Sequence, residues 1–245
     1  MGSRCHDCRV AEEFEFRDLS GAAFWGVNLE GATFRDVDLT GARFSHSRLA
    51  DVVIDAEIDR LVVNGVDVTD YVNERDEWFA LRSQIRPADS AGMRKGWHAI
   101  SDAWVAAIGR AHVLGEGQCH ASVEGEWSFV QTLRHLVFAT DKWFTAPILG
   151  GTFNPIGIPN SGSADFGWPG LDSTASPTFD EAVGAWRGRS QQLRQYIDVA
   201  EPAALTATVD VIENGTTPVL DCIGVVFEEH FQHLRYALRD LERLA

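Results

Sequence analysis

The chain has 245 residues, 45% of them hydrophobic, with 8 Trp and 14 Phe. That is enough apolar mass to bury a core in one large domain or two small ones. A formal net charge of −15 argues against nucleic acid as a partner, because phosphate backbones are held by basic side chains. No apolar run reaches the ~18 residues of a membrane span, and the N-terminus lacks the basic-then-apolar pattern of a signal peptide. A soluble, cytoplasmic chain with no membrane partner is expected.

The four cysteines, Cys5, Cys8, Cys119 and Cys222, do not form the pattern of a secreted disulfide scaffold. Cys5-His6-Asp7-Cys8 has the spacing of half a zinc site, but no second CxxC completes it. Downstream, Phe14, Leu19, Phe24, Leu29, Phe34, Leu39, Phe44, Leu49 and Ile54 recur every five residues. Small or short apolar residues (Ala22, Val27, Ala32, Val37, Ala42, Val52) precede these centres by two, and Gly21, Gly26, Gly31 and Gly41 follow them by two. A period of five fits neither a helix nor a plain strand. It fits a square coil with one unit per side, large and small side chains pointing inward, and glycine at the corners. This segment resembles the pentapeptide-repeat family, which implies a short right-handed quadrilateral β-helix. Nine units at four per coil give about two coils, the lower end of a stacked solenoid.

Ile58 to Tyr71 follows as a cap, with Asn64-Gly65 between LVV and VDV as a hairpin signal. Repeat and cap together are assigned to residues 10–71, and residues 72–87 to a short helix or linker. Residues 10–60 carry eleven acidic residues against five Arg. Some acidic pentapeptide-repeat proteins imitate DNA and bind topoisomerases, but two coils are short for this. A docking or homodimer-forming platform is the preferred reading.

The rest of the chain, residues 88–245, reads as helical. The first helix is expected from a cap at Asp89 or Ser90 to about Leu114, with Trp97, Ile100, Trp104, Ala107 and Ile108 as its stripe. The second starts near Ser128; it is apolar around most of its circumference and should be central. It carries His135. Leu149 to Pro177 is a long loop rich in Gly, Pro and Ser, whose length points to a lid or crossover and whose Phe153, Phe166, Trp168 and Leu171 suggest that it packs down. The third helix runs from Thr178 or Asp180 to about Val199. Pro218 opens the fourth helix.

That fourth helix holds the chain's one close cluster of metal-ligand side chains. Ile223, Val226, Phe227, Leu234, Ala237, Leu238 and Leu241 form its apolar face, with His230 at the centre and His233 on the edge. Glu229 and His233 are i, i+4 neighbours whose head groups can reach a common point. A metal site facing the second helix is one reading. A core histidine, a partner histidine and a surface glutamate are the other.

EWSFVQTLRHLVFATDKW and HLRYALRDLERL resemble the second and fourth helices of the DinB-like superfamily. The resemblance implies a four-helix bundle with a long crossover between helices 2 and 3, making the whole chain α+β. It further implies a divalent metal, zinc or nickel, held by one histidine on helix 2 and an HxxxH pair on helix 4. His135 and His233 match two of these positions. The third falls on Glu229, with His230 as reserve. Many members are S-transferases that use bacillithiol, mycothiol or glutathione. The resemblance therefore implies a low-molecular-weight thiol, mycothiol-type, presented to a small electrophilic substrate. The electrophile is expected under the aromatic loop, with Trp127, Phe138 and Trp168 as candidate substrate-binding residues. The competing reading is a non-catalytic interaction module with an acidic docking surface and a degenerate metal site.

Overall fold

A computed structural model describes residues 12–245 apart from 15, 16, 36, 161, 162, 164 and 165. The Cys5–Cys8 motif lies outside the described residues. The chain forms two compact units that divide after Ile54.

In the N-terminal unit the five-residue period appears in the backbone. Positive φ recurs at Gly21, Gly26, Gly31 and Gly41, then at His46 and Asp51. Every tenth residue closes a tight turn, from the amides of Ala22, Ala32 and Ala42 to the carbonyls of Leu19, Leu29 and Leu39. Asp18, Asn28 and Asp38 steady these corners by accepting from the amide two residues on, as Asx turns do. Two expectations change. No strand is present among the described residues up to Ile54, so the turns recur without a paired β-ladder. Nor are the centre side chains packed away: from Phe14 to Ile54 they keep 46–64% exposure.

The second unit opens with a small hairpin, β1 (Val62–Val63) and β2 (Val66–Asp67). It turns through Asn64 and Gly65, both at positive φ, as a two-residue hairpin loop requires. Residues 69–85 contain α1 (Thr69–Asn73) and α2 (Phe79–Arg82). They pack onto the final helix: Trp78 meets Phe231 edge-on at 6.2 Å, and Ile85 is buried. Arg82 pairs with Asp76 at 2.8 Å and Asp55 at 3.0 Å.

Four long helical stretches then build the bundle. Asp89 caps α3 (Ser90–Leu114) by accepting from the Gly92 amide, and Gly115 ends it. A single turn, α4 (Glu116–Cys119), follows. A reciprocal Ser128–Gln131 capping box starts α5 (Phe129–Thr140), which runs on through one π-turn (Asp141–Thr145) into α6 (Ala146–Leu149). A second capping box, Thr178–Glu181, starts α7 (Phe179–Val199). After α8 (Pro202–Thr206) and the hairpin β3 (Thr208–Val211)–β4 (Gly215–Pro218), α9 (Val219–Leu244) closes the chain. Both α3 and α5 pack against α7 and α9. Trp97, Trp104, Leu133, Leu136, Trp186, Phe227 and Leu234 are among the buried side chains that they enclose. Nearly every α5 side chain is buried, as its all-round apolar sequence requires.

The crossover between α6 and α7 packs down. Phe153 and Trp168 bury against Phe138 in a cluster of their own, with Leu171 at its edge. Phe166 stays exposed. Asp141, fully buried in the π-turn, accepts from the Asn154 amide at 2.7 Å and pairs with Arg189 of α7 at 2.6 Å. Among the described residues, no helix is long and apolar enough to cross a membrane.

Candidate metal centre

The packing of α9 on α5 brings together His135, Glu229 and His233, whose ligand atoms lie within 4.8 Å of one another. His135 is a buried α5 side chain. Glu229 and His233 stand one turn apart on α9, with side chains 31% and 20% exposed. The group therefore has a closed side towards α5 and an open side towards solvent. A single carboxylate oxygen, Glu229 Oε2, lies 3.2 Å from His135 Nε2 and 3.3 Å from His233 Nε2.

The other ring nitrogen of His135 faces the Ile158 carbonyl at 3.0 Å. A carbonyl only accepts, so Nδ1 carries the hydrogen and donates it. The other nitrogen, Nε2, then faces a carboxylate oxygen that only accepts. A proton or a cation must lie between them. Burial alone would raise the Glu229 carboxyl, but the hydrogen bonds from His135 and His233 and their charge outweigh it and hold the group well below the usual carboxylate range.

The residues fit a divalent ion. Ligands ~2.0–2.1 Å from a tetrahedral centre lie roughly 3.3 Å apart, close to the two separations around Oε2. Two imidazoles and one carboxylate are a donor set suited to zinc, and three protein ligands with an open side are the arrangement of a catalytic rather than a structural ion. A backbone carbonyl on the far nitrogen of a ligating histidine is the usual orienting partner.

Trp127 walls the group. Its ring stacks on His233 at 5.9 Å and 15° and lies 4.6 Å from His135. Phe138 lies 6.2 Å from the His135 ring and joins it to the Phe153–Trp168 cluster. Trp168 packs edge-on against Phe138 at 4.9 Å, and its indole donates to the Ser163 carbonyl.

His230 is not in the group, which corrects its reading as a ligand. A step of one residue turns the side chain by ~100°, and this one points into the core. Its Nδ1 donates to the Val226 carbonyl at 2.8 Å, and its Nε2 accepts from the Trp186 indole at 3.2 Å. Trp97 and Trp104 pack edge-on against the ring, and burial pushes its pKa down to about 4.

Sequence reasoning missed the Ile158 carbonyl and the side chain of Arg134, which holds the same loop. A main-chain acceptor has no residue identity to read, and Arg134 looks like any polar position on a helix.

The DinB superfamily model matches residues 99–237, and pentapeptide repeats match residues 18–53 in 8 copies. No curated protein and no solved structure matches the chain.

Proposed function

The chain belongs to the DinB superfamily, whose model spans more than half of it, and we propose that it is a metal-dependent thiol S-transferase. The observation that carries the reading is the convergence of two imidazole Nε2 atoms on one Glu229 oxygen, at 3.2 and 3.3 Å, with Nδ1 of His135 bonded to the Ile158 carbonyl. His135, Glu229 and His233 would hold zinc or nickel. The bound ion would supply a thiol pKa low enough for the sulfur to react as thiolate at neutral pH.

The protein's own contribution is position and exclusion. Trp127 covers one side of the ligands, and Phe138 with Phe153 and Trp168 backs the α5 side, leaving the solvent side open for substrate. In the transfer, a carbon–sulfur bond forms at the electrophile, its leaving group departs with the electron pair, and the thiol proton passes to solvent. The sulfur comes from a low-molecular-weight thiol of the mycothiol type. An external thiol agrees with the state of the described cysteines: Cys119 and Cys222 are buried, and burial pushes each thiol up to about 11. The N-terminal unit is read as two coils of a quadrilateral β-helix, serving as a docking or homodimer-forming platform.

Elemental analysis of the purified full chain tests the metal. Turnover of a small fluorogenic haloalkane with mycothiol, bacillithiol or glutathione then tests the reaction. The competing interaction-module reading is favoured by one observation, a carboxylate at a position where the family carries histidine. A chain that stays metal-free with zinc and nickel supplied would establish it.

A further inference from the structure

The crossover residues nearest the centre are bound to α5 at three points within five positions. The His135 ring donates to the Ile158 carbonyl at 3.0 Å. The Ile158 amide returns to the Arg134 carbonyl at 3.3 Å. The Arg134 side chain donates from Nε to the Ile156 carbonyl at 2.7 Å. Upstream, the Asn154 side chain accepts from the Ile156 amide, and the Asn154 amide is held by buried Asp141.

Between the two carbonyls sits Gly157, where a side chain would be tight enough that its neighbours must give way. A Cβ at Gly157 would stand 3.1 Å from Leu171 Cδ2, 3.2 Å from Phe138 Cβ and 3.3 Å from the Asn154 carbonyl oxygen. All three lie inside ordinary van der Waals separation. Leu171 belongs to the returning part of the crossover and Phe138 to α5, so a side chain would press the loop away from the helix.

We infer that residues 154–158 are a built outer layer of the metal centre, with Arg134 and Gly157 as its positioning residues. This inference rests on the metal reading above. The loop fixes which nitrogen of His135 is presented, and Arg134 fixes the loop. Loop order and metal affinity are therefore linked: an ion that needs His135 in this orientation favours the docked loop, and a docked loop favours the ion. Apolar surface alone would not require it, since Phe153 and Trp168 can bury without bringing any carbonyl to His135.

The test uses the full chain and zinc alone. Zinc affinity is read by competition with a chromophoric chelator for wild type, Arg134→Met, Arg134→Lys, Gly157→Ala and Gly157→Val. Hydrogen exchange of the peptide spanning residues 152–160 is followed with and without zinc. Removing an outer-layer partner should weaken zinc binding by about 10–100-fold in Arg134→Met and Gly157→Val, with unchanged helical circular dichroism. Gly157→Ala should fall between these and wild type, and Arg134→Lys should recover part of the loss. Zinc should slow exchange in 152–160 in wild type but not in Gly157→Val. Wild-type affinity in both Arg134→Met and Gly157→Val, with a loop that exchanges freely, would overturn the inference while leaving the metal reading intact. A wild-type chain that binds no zinc would remove both.

Discussion

His135 and Glu229, 94 positions apart in sequence, face each other with Nε2 3.2 Å from Oε2. A carboxylate oxygen only accepts, so this closeness needs a proton on Nε2 or an ion between the two atoms. His135→Ala and His233→Ala should each abolish zinc binding, since either leaves two protein ligands. Glu229→His should keep or tighten zinc binding, because it restores the family's donor set. Glu229→Gln should weaken it, since a neutral amide oxygen is a poorer ligand than a carboxylate. Chelator competition on the four variants measures all of this. Full zinc affinity in His135→Ala would show that the ion is held elsewhere.

The bundle was legible because its signals are local and mutually consistent. Of the alternatives the sequence offered, Asp89 and Thr178 are the caps, and Ser128 caps the helix expected to start near it; the all-apolar α5 is central. The site was half legible. The i, i+4 spacing of Glu229 and His233 is a property of one helix, so sequence contained it. Distinguishing His230 from His233 was harder, because both lie on the apolar side of α9. The choice is made by Trp97, Trp104 and Trp186 on other helices, which no reading of α9 alone can supply. The repeat's period was plain, but its burial was not. Periodicity says which side chains share a face, but not what covers that face.

His230 should make stability depend on pH. Its ring faces Trp97, Trp104 and Trp186, with Glu229 beside it on α9. Burial, the largest influence, lowers its pKa from 6.5 to about 4, against the pull of Val226 and Glu229. The folded value lies below the unfolded one, so the unfolded chain takes the proton first as pH falls. Stability from this group is complete above about pH 6.5 and declines towards pH 4, by roughly 3 kcal/mol at ~1.4 kcal/mol per pH unit. Urea midpoints should follow that slope in wild type. In His230→Gln the slope between pH 6.5 and 4 should flatten; an unchanged slope would assign it to other groups.

Asp141 and Arg189 tie the π-turn to α7, and Arg189 also donates to the Thr152 carbonyl of the crossover. Burial raises the Asp141 carboxyl, against the Asn154 amide and Arg189. Arg189→Met should cost ~3–5 kcal/mol by leaving a buried charge unpaired. Adding Asp141→Leu should recover part of this, because the orphaned charge is then gone. Denaturant titration of the two singles and the double gives the coupling. Purely additive losses would mean that the pair does not act as a unit.

In the repeat, Gly31 has φ +75, and a Cβ there would meet nothing within 4 Å. Gly31→Ala should therefore cost only the conformational penalty of a left-handed residue, ~1–2 kcal/mol. Leu29 is 47% exposed, so Leu29→Asp loses part of a contact without fully burying a charge, and should cost less than a fully buried substitution. Proteolytic half-life of the N-terminal unit reads both. Gly31→Ala at wild-type resistance would show that the corner conformation is not required.

The described cysteines bear on the origin of the reacting sulfur. Cys119 Sγ donates to the Ala111 carbonyl at 3.3 Å, and Cys222 is fully buried on α9. Burial pushes each thiol up to about 11, with acidic Glu116 and Asp221 adding to the effect. At neutral pH the thiolate fraction at either site is on the order of one part in 10⁴, from four pH units below the pKa, and access is closed as well. A disulfide reagent should therefore leave Cys119 and Cys222 unmodified in the folded chain and label both once urea unfolds it, with peptide mapping to assign the sites. Cys119→Ser and Cys222→Ala should retain S-transfer to the haloalkane when an external thiol is supplied. Loss of turnover in either variant, with zinc binding and the folded circular dichroism unchanged, would make a protein thiol the nucleophile and displace the external thiol from the mechanism.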